Sequence, residues 1–263
     1  MKGYIYYTAD EATRNQAFID DLLKTSTSVG IDLEVLYEPP TERADFILFR
    51  DRNSKLASQL ENTGYRLINR ASVQAIANDK LRTFELAMML GIPTVPTTRT
   101  DHQLPTVPLV LKTRDGHGGS EVFLCKTDEQ VDDVLKQFDP KNLIVQPFIE
   151  SGATDVRVFM LGEEVLGAVK RIGMKDSFKS NYTLGGTVEK YTLDDEQTRQ
   201  VQMIARAISS DYIGIDFILP TTGGWLLNEI EDPVGARSLY VTHDFSVTKK
   251  LLTYVKEQLQ KHT

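Results

Sequence analysis

Between Tyr212 and Glu231 the chain reads YIGIDFILPTTGGWLLNEIE. Two runs rich in Ile, Leu and Phe flank PTTGG, whose proline and paired glycines call for a reversal, so the stretch is expected to form a hairpin of two antiparallel strands. Side chains alternate faces along a strand, which sets Trp225, Leu227, Glu229 and Glu231 on one face. Pairing across the turn brings Asp216 opposite Asn228–Glu229, to within about one residue of register. Three carboxylates then crowd onto adjacent strands among apolar neighbours. Like charges facing each other destabilise a sheet, and apolar surroundings raise that cost. A hard divalent cation removes the conflict, because carboxylate and phosphate oxygens are the usual ligands of Mg²⁺. The other reading turns Glu229 or Glu231 to solvent or pairs one of them with Arg237. Asp232-Pro233 and Gly235 close the hairpin with a tight turn.

A second stretch, PLVLKTRDGHGGSEVFLC from Pro108 to Cys125, sets an apolar run ending in Lys112 before Gly116, Gly118 and Gly119, with a further apolar run behind them. Glycines beside a lysine suggest a phosphate cradle. The order is wrong for a Walker loop, in which the lysine follows the last glycine and opens a helix. The stretch also fails G-x-G-x-x-G, since Glu121 stands at the third glycine. The cradle is therefore expected between two strands. Cys125 is the only cysteine; it excludes an internal disulfide and reads as a small core residue.

Around these two stretches the pattern is α+β. Tyr4–Tyr7, Asp32–Tyr37 and Ala44–Arg52 read as strands, with an apolar helical stripe of Phe18, Ile19, Leu22 and Leu23 between the first two. Leu81, Phe84 and Met88 mark a helix that Gly91 caps and Pro93 stops. Thr127 and Gln130 form a capping-box pattern ahead of the apolar face of Val131, Val134, Leu135 and Phe138. NLIVQPFI reads as a buried strand, and DVRVFMLGEEVLGAVKR as a hairpin turning at Gly162–Glu163. A helix over Asp194–Ser209 and a closing amphipathic helix with Leu251, Leu252, Val255 and Leu259 complete the chain. The expected division is a small α/β unit over 1–75 followed by a larger one over 76–263, itself split into 76–146 and 147–263. The 263 residues carry a net charge of −7, which argues against nucleic acid or an anionic membrane as a partner. No apolar run reaches the roughly 18 residues of a membrane span. The opening residues lack the apolar core of a signal peptide, so a cytoplasmic protein is expected.

Basic residues cluster at Lys170, Arg171, Lys175 and Lys179, a concentration suited to a polyanion such as a nucleotide; Lys175 reads better as a solvated residue. Arg157 lies in the apolar strand VRVFML, where it either faces a site while Val156 and Val158 pack, or pairs with Asp155 or Glu150. The four histidines, His117 among them, show neither metal-ligand nor triad spacing. Ser120 is not in G-x-S-x-G, so acyl-enzyme hydrolysis has no support.

Taken in order, LINRASVQAIANDKLRTFELAMMLGIPTVPT, PLVLKTRDGHGGSEVFL, LIVQPFI, DVRVFMLGEEVLGAVKR, FKSNYTLGG and GIDFILPTTGGWLLNEIEDPVG resemble an ATP-grasp ligase, closest to the RimK-type (ribosomal-protein glutamate ligase) and glutathione synthetase branch. The likeness covers about Leu67 to Tyr240. It implies an α+β ATP-grasp fold, with two α+β subdomains enclosing ATP, preceded by a small α/β pre-ATP-grasp unit. It further implies a cytoplasmic, ADP-forming ligase that joins a carboxylate to an amine or thiol through an acyl phosphate. By this resemblance Lys80 and Lys112 contact the ATP phosphates, and the lid Gly116, Gly118, Gly119 and Ser120 closes over them through backbone N–H groups, as glycine permits. Gln146, Phe148 and Ile149 belong to the hinge that holds adenine, and Asp155 contacts ribose. Arg157, Arg171 and Asn181 lie near the transferred phosphoryl group, where the arginines stabilise the oxyanion. Asp216, Glu229 and Glu231 hold Mg²⁺, with Mn²⁺ as an alternative. The chain departs from the family pattern at Pro147, where an acidic residue is common, and at Glu231, where asparagine is common. Implied partners are small-molecule or peptide substrates, with an amino-acid or glutamate-type substrate expected, and a homo-oligomer is compatible with the resemblance. A nucleotide-binding module without ligation and a phosphotransferase acting on a carboxylate or hydroxyl are the rival readings.

Overall fold

The computed structural model describes residues 1–119, 121–174 and 186–261. Ser120, Asn181, Lys175 and Lys179 lie outside the described residues. Three sheets carry the fold.

The first is parallel, in the order β2-β1-β3-β4: β1 (Lys2–Tyr6), β2 (Asp32–Leu36), β3 (Phe46–Phe49) and β4 (Leu67–Ile68). Its crossovers are α1 (Ala9–Arg14), α2 (Gln16–Ser28) and α3 (Ser54–Asn62). All four residues of β3 are buried, as expected of a strand covered on both faces. The strand ends before Arg50, so Arg50 and Arg52 leave the sheet at its carboxyl edge.

Two helices follow, α4 (Ala71–Ala77) and α5 (Lys80–Leu90). Asp79 caps α5 by accepting from Leu81 N and Arg82 N, and Gly91 ends it in the left-handed conformation at φ 67°. The buried face of α5 is not the expected stripe. Leu81, Thr83, Leu86 and Ala87 face inward, Phe84 is half-buried, and Met88 is 61% exposed. Packing against the third sheet rotates the helix relative to its most apolar side.

The second sheet is antiparallel, in the order β5-β8-β6-β7: β5 (Thr98–Arg99), β6 (Leu109–Thr113), β7 (Val122–Cys125) and β8 (Leu143–Pro147). Between β7 and β8, α6 (Asp128–Gln137) covers one face with Val131 and Val134 against Leu109, Leu111, Leu143 and Val145. Cys125 is buried in that layer.

The third sheet is also antiparallel, in the order β11-β10-β9-β12-β13: β9 (Thr154–Leu161), β10 (Glu164–Ile172), β11 (Thr187–Tyr191), β12 (Tyr212–Ile218) and β13 (Leu226–Glu231). Between β11 and β12, α7 (Asp195–Ile208) starts on a full capping box of Asp194 and Gln197. The last helices are α8 (Arg237–Thr242) and α9 (Val247–Gln260). One face of this sheet presents Val156, Val158, Ile213, Ile215 and Phe217 to α4, α5 and α7. The opposite face divides in two. Phe159, Leu161 and Val169 join the core shared with β1, α2 and α9, whereas Asp155, Arg157 and Arg171 continue the same face as a polar surface.

Long-range hydrogen bonds join the sheets. Pro93 O accepts from Leu227 N at 2.8 Å and Leu227 O from Val95 N at 3.1 Å, so the chain leading to β5 runs beside β13. Asn69, 2% exposed, donates to Tyr212 O and accepts from the N–H groups of Asp211 and Tyr212, fastening the first sheet to the third. No described helix is long and apolar enough to cross a membrane.

Candidate active site

The cleft between the second and third sheets collects most of the residues that the sequence singles out. It encloses about 130 Å³ and is lined by Lys80, Lys112, Gly116, Gly118, Gly119, Gln146, Phe148, Ile149, Asp155, Arg171, Glu229 and Glu231. Arg157 and Asp216 form the floor behind that lining, through contacts with Arg171 and Glu231.

Asp216 pairs directly with Glu229 across β12 and β13, and Gly214 with Glu231. One expectation for this hairpin fails. Trp225 and Leu227 do not share a face with Glu229 and Glu231, because a bulge makes Phe217 face Leu227 while Asp216 faces Glu229, leaving Asn228 as the extra residue. The bulge resets the alternation. Trp225, Leu227 and Ile230 fall into the core, and Asn228, Glu229 and Glu231 all line the cleft. Asn228, which strict alternation would hide, accepts from Lys112 Nζ at 2.8 Å. Trp225 stacks on Phe217 and donates from Nε1 to Gln200 Oε1 at 2.9 Å, which anchors the bulged strand from behind.

The carboxylates are bridged by the two arginines. Arg157 makes a bidentate pair with Asp216 at 2.7 and 2.6 Å and a further contact with Glu231 at 2.8 Å. Arg171 makes a bidentate pair with Asp155 at 2.6 Å for each bond and reaches Asp216 at 2.7 Å. Val156 and Val158 are fully buried on the other face of the strand, and the partners of Arg157 are Asp216 and Glu231 rather than Asp155 or Glu150. Arg237 instead donates to Arg14 O, so it does not neutralise the trio. Lys170 points away from the cleft and pairs with Glu189.

Burial would raise the Asp216 carboxyl, but Arg157 and Arg171 hold it below the usual carboxylate range. Glu231 is pushed up, first by burial and then by Asp216 and Glu229, against the pull of Arg157. One oxygen from each of Asp216, Glu229 and Glu231 lies within 4.8 Å of the others. Three hard oxygen donors at that separation, with more negative charge than two guanidinium groups fully offset, fit a hard divalent cation.

Two lysines supply the opposing charge. Lys112 is 7% exposed, and burial lowers its ammonium to a pKa of about 8, opposed in part by Glu229. Lys80, the first residue of α5, donates to Gly116 O and stands 3.8 Å from Glu229. The base of the glycine loop is fixed to α5: Lys80 N donates to Arg114 O at 3.0 Å, and the Arg114 guanidinium holds Asp79, the cap of that helix. Thr113 Oγ1 donates to Glu121 Oε2 at 2.5 Å across the loop.

At the other end Val95, Val110, Val122 and Ile218 form an apolar slot. The side chain of Gln146 turns to Thr97 Oγ1 at 2.8 Å. Pro147 has no N–H, and Phe148 N already donates to Pro108 O at 3.1 Å. Among the described residues, this leaves the Ile149 N–H as the open donor of the hinge. Asn228 is the position where reading the strands as regular loses the local chemistry, whereas Pro147 already stands out in the sequence.

The fold and this cleft define an ATP-grasp ligase. A family model described as the RimK-like ATP-grasp domain matches residues 71–255, and the chain belongs to that family. It is 27% identical over 270 residues to the uncharacterised protein MG011 of Mycoplasma genitalium, covering 98% of this chain and 93% of the other. It is 28% identical over 208 residues to a probable alpha-L-glutamate ligase of Haemophilus influenzae, covering 74% of this chain and 68% of that one. Among solved structures, D-cycloserine synthetase DcsG superposes with a TM-score of 0.77 at 17% identity, covering 98% of this chain and 100% of the other.

Proposed function

We propose that this chain forms an amide or peptide bond between a carboxylate and an amine through an acyl phosphate, releasing ADP and phosphate, and that an amino-acid or glutamate-type molecule is among its substrates. The observation that carries this reading is the opposition, across one cleft, of Lys80, Lys112 and the glycine loop to Asp216, Glu229, Glu231 and their two arginines. The relationship to a probable alpha-L-glutamate ligase supports the substrate class.

In this reading residues 1–75 form the pre-ATP-grasp unit and 76–263 the catalytic unit. The apolar slot takes the adenine, with the Ile149 N–H as its donor. Lys80, Lys112 and the N–H groups of Gly116, Gly118 and Gly119 receive the phosphates, while Ser120 and Asn181 keep the roles that the family resemblance assigns them. Asp155 turns from Arg171 to the ribose when nucleotide binds. Asp216, Glu229 and Glu231 would hold Mg²⁺, which when bound offsets negative charge on the phosphates. A substrate carboxylate oxygen attacks the γ-phosphorus and ADP leaves; an amine then attacks the acyl carbon and phosphate leaves. Arg157 and Arg171, released from their carboxylates, neutralise the charge that develops on the acyl oxygen. The protein contributes position and field rather than a covalent bond, and the loop excludes water that would hydrolyse the intermediate.

The test is ADP release with ATP and MgCl₂ across a panel of amino acids and peptides, with mass spectrometry of the product. Substrate-stimulated ADP release with an amide product is expected. Lys112→Ala and Glu229→Gln are each expected to lower it by about 100-fold or more, the usual cost of removing a group that stabilises transferring charge. Undiminished turnover in both variants refutes the assignment.

A further inference from the structure

Across β6 and β8, Gln146 lies opposite Val110, and both residues line the cleft. Gln146 is 4% exposed and sets a side-chain amide beside the apolar slot of Val95, Val110, Val122 and Ile218. An amide has a donor at one end and an acceptor at the other, and its partners decide which end faces where. Here a chain of hydrogen bonds decides it. Val95 O is a carbonyl and only accepts, so Thr97 Oγ1 commits its one proton to it, at 2.9 Å. That hydroxyl oxygen can then only accept from Gln146, and it does so from Nε2 at 2.8 Å. The other end of the amide, Oε1, accepts from none of the described residues. It is not sealed in the interior either, as Oε1 of Gln74 is.

An acceptor held beside the slot selects a base that donates there. The Ile149 N–H, the open donor of the hinge, follows three residues later in the chain. One acceptor and one donor complement the 6-amino group and N1 of adenine. Hypoxanthine reverses both groups, since its O6 accepts and its N1–H donates. In the same site acceptor would meet acceptor and donor would meet donor, and sites that hydrogen-bond their substrate discriminate strongly against such mismatches.

We propose that Thr97 sets the nucleobase specificity of this cleft, as a positioning residue that holds the Gln146 amide with Oε1 toward the base. Without the Thr97 hydroxyl the amide turns between its two orientations, and either base finds a complement for its 6-substituent. This assignment rests on the ATP-dependent reading given above.

The experiment is isothermal titration of ATP and of inosine triphosphate, with MgCl₂ and no acceptor, into the wild type, Thr97→Val, Thr97→Ser and Gln146→Leu. Thr97→Val keeps the shape of the side chain and removes its hydroxyl, and thermal melts without nucleotide check that each variant folds. The wild type is expected to bind ATP about 100-fold more tightly than inosine triphosphate, roughly tenfold for each mismatched group. Thr97→Val and Gln146→Leu should each lower that ratio to about tenfold, the share of the Ile149 N–H, and Thr97→Ser should keep it. The role of Thr97 is overturned if the wild type binds both nucleotides equally, if Thr97→Val keeps the full ratio, or if Thr97→Ser loses it as Thr97→Val does. Binding of neither nucleotide overturns the role of Thr97 together with the ATP-dependent reading. If the ratios follow the expected pattern but no amide forms with any acceptor, Thr97 keeps its role and the ligase reading falls.

Discussion

Asp232, directly after the carboxylate trio, gives the clearest pH-dependent prediction. It is 1% exposed; Oδ1 accepts from Asn69 Nδ2 at 2.9 Å, and Oδ2 is buried with no donor among the described residues. Burial raises its pKa from 3.8 to about 7, with the Asn69 hydrogen bond and then Arg50 opposing the rise. The folded protein therefore keeps a proton that the unfolded chain has already released. Stability from this group is complete below pH 3.8, declines through the interval and is lowest above pH 7. At about 1.4 kcal/mol per pH unit, the whole interval amounts to about 4 kcal/mol, of which about 3 kcal/mol falls between pH 5 and pH 8. Asp232→Asn keeps the shape and removes the titration. Thermal melts followed by circular dichroism in EDTA should show the melting temperature of the variant gaining on that of the wild type by about 6–12 °C as pH rises from 5 to 8, at roughly 2–4 °C per kcal/mol for a chain of this size. A constant difference across that range would falsify the claim that Asp232 is held protonated by burial.

Two further substitutions probe the cleft. At Gly116 an added Cβ would fall 2.1 Å from Thr113 Oγ1 and 2.9 Å from Glu121 Oε2. Gly116→Ala must therefore break the hydrogen bond across the base of the loop, and steady-state kinetics should show the KM for ATP raised by about tenfold, the equivalent of one lost hydrogen bond; an unchanged KM removes the loop from nucleotide binding. Asn228→Leu deprives the buried Lys112 ammonium of its acceptor. Urea unfolding should register a loss of about 1–3 kcal/mol, and neutral stability would mean that Lys112 finds another partner without cost.

Much of this protein follows from local pattern. The apolar runs about PTTGG form the β12–β13 hairpin, Gly91 ends α5 in the left-handed conformation, Asp194 opens α7, and Gly162 turns β9 into β10. These features depend on neighbours within a few residues, where backbone sterics and side-chain periodicity decide the outcome. The ordered set of weak motifs likewise led to the ATP-grasp family, because each stretch carries its own spacing. Contacts between distant segments decided the rest. The bulge that places Asn228 beside Glu229 in the cleft depends on how β13 registers against β12 and beside Pro93–Val95. The burial of α5 follows the sheet beneath it rather than its own most apolar stripe, so Met88 is left exposed. Arg157 and Arg171 acquire their partners only when β9, β10, β12 and β13 align, and the amide of Phe148 is taken by Pro108, forty residues earlier in the chain. Residue type and spacing specify which groups a chain can offer to a site; which of them meet is set by the packing of sheets whose strands lie far apart in sequence.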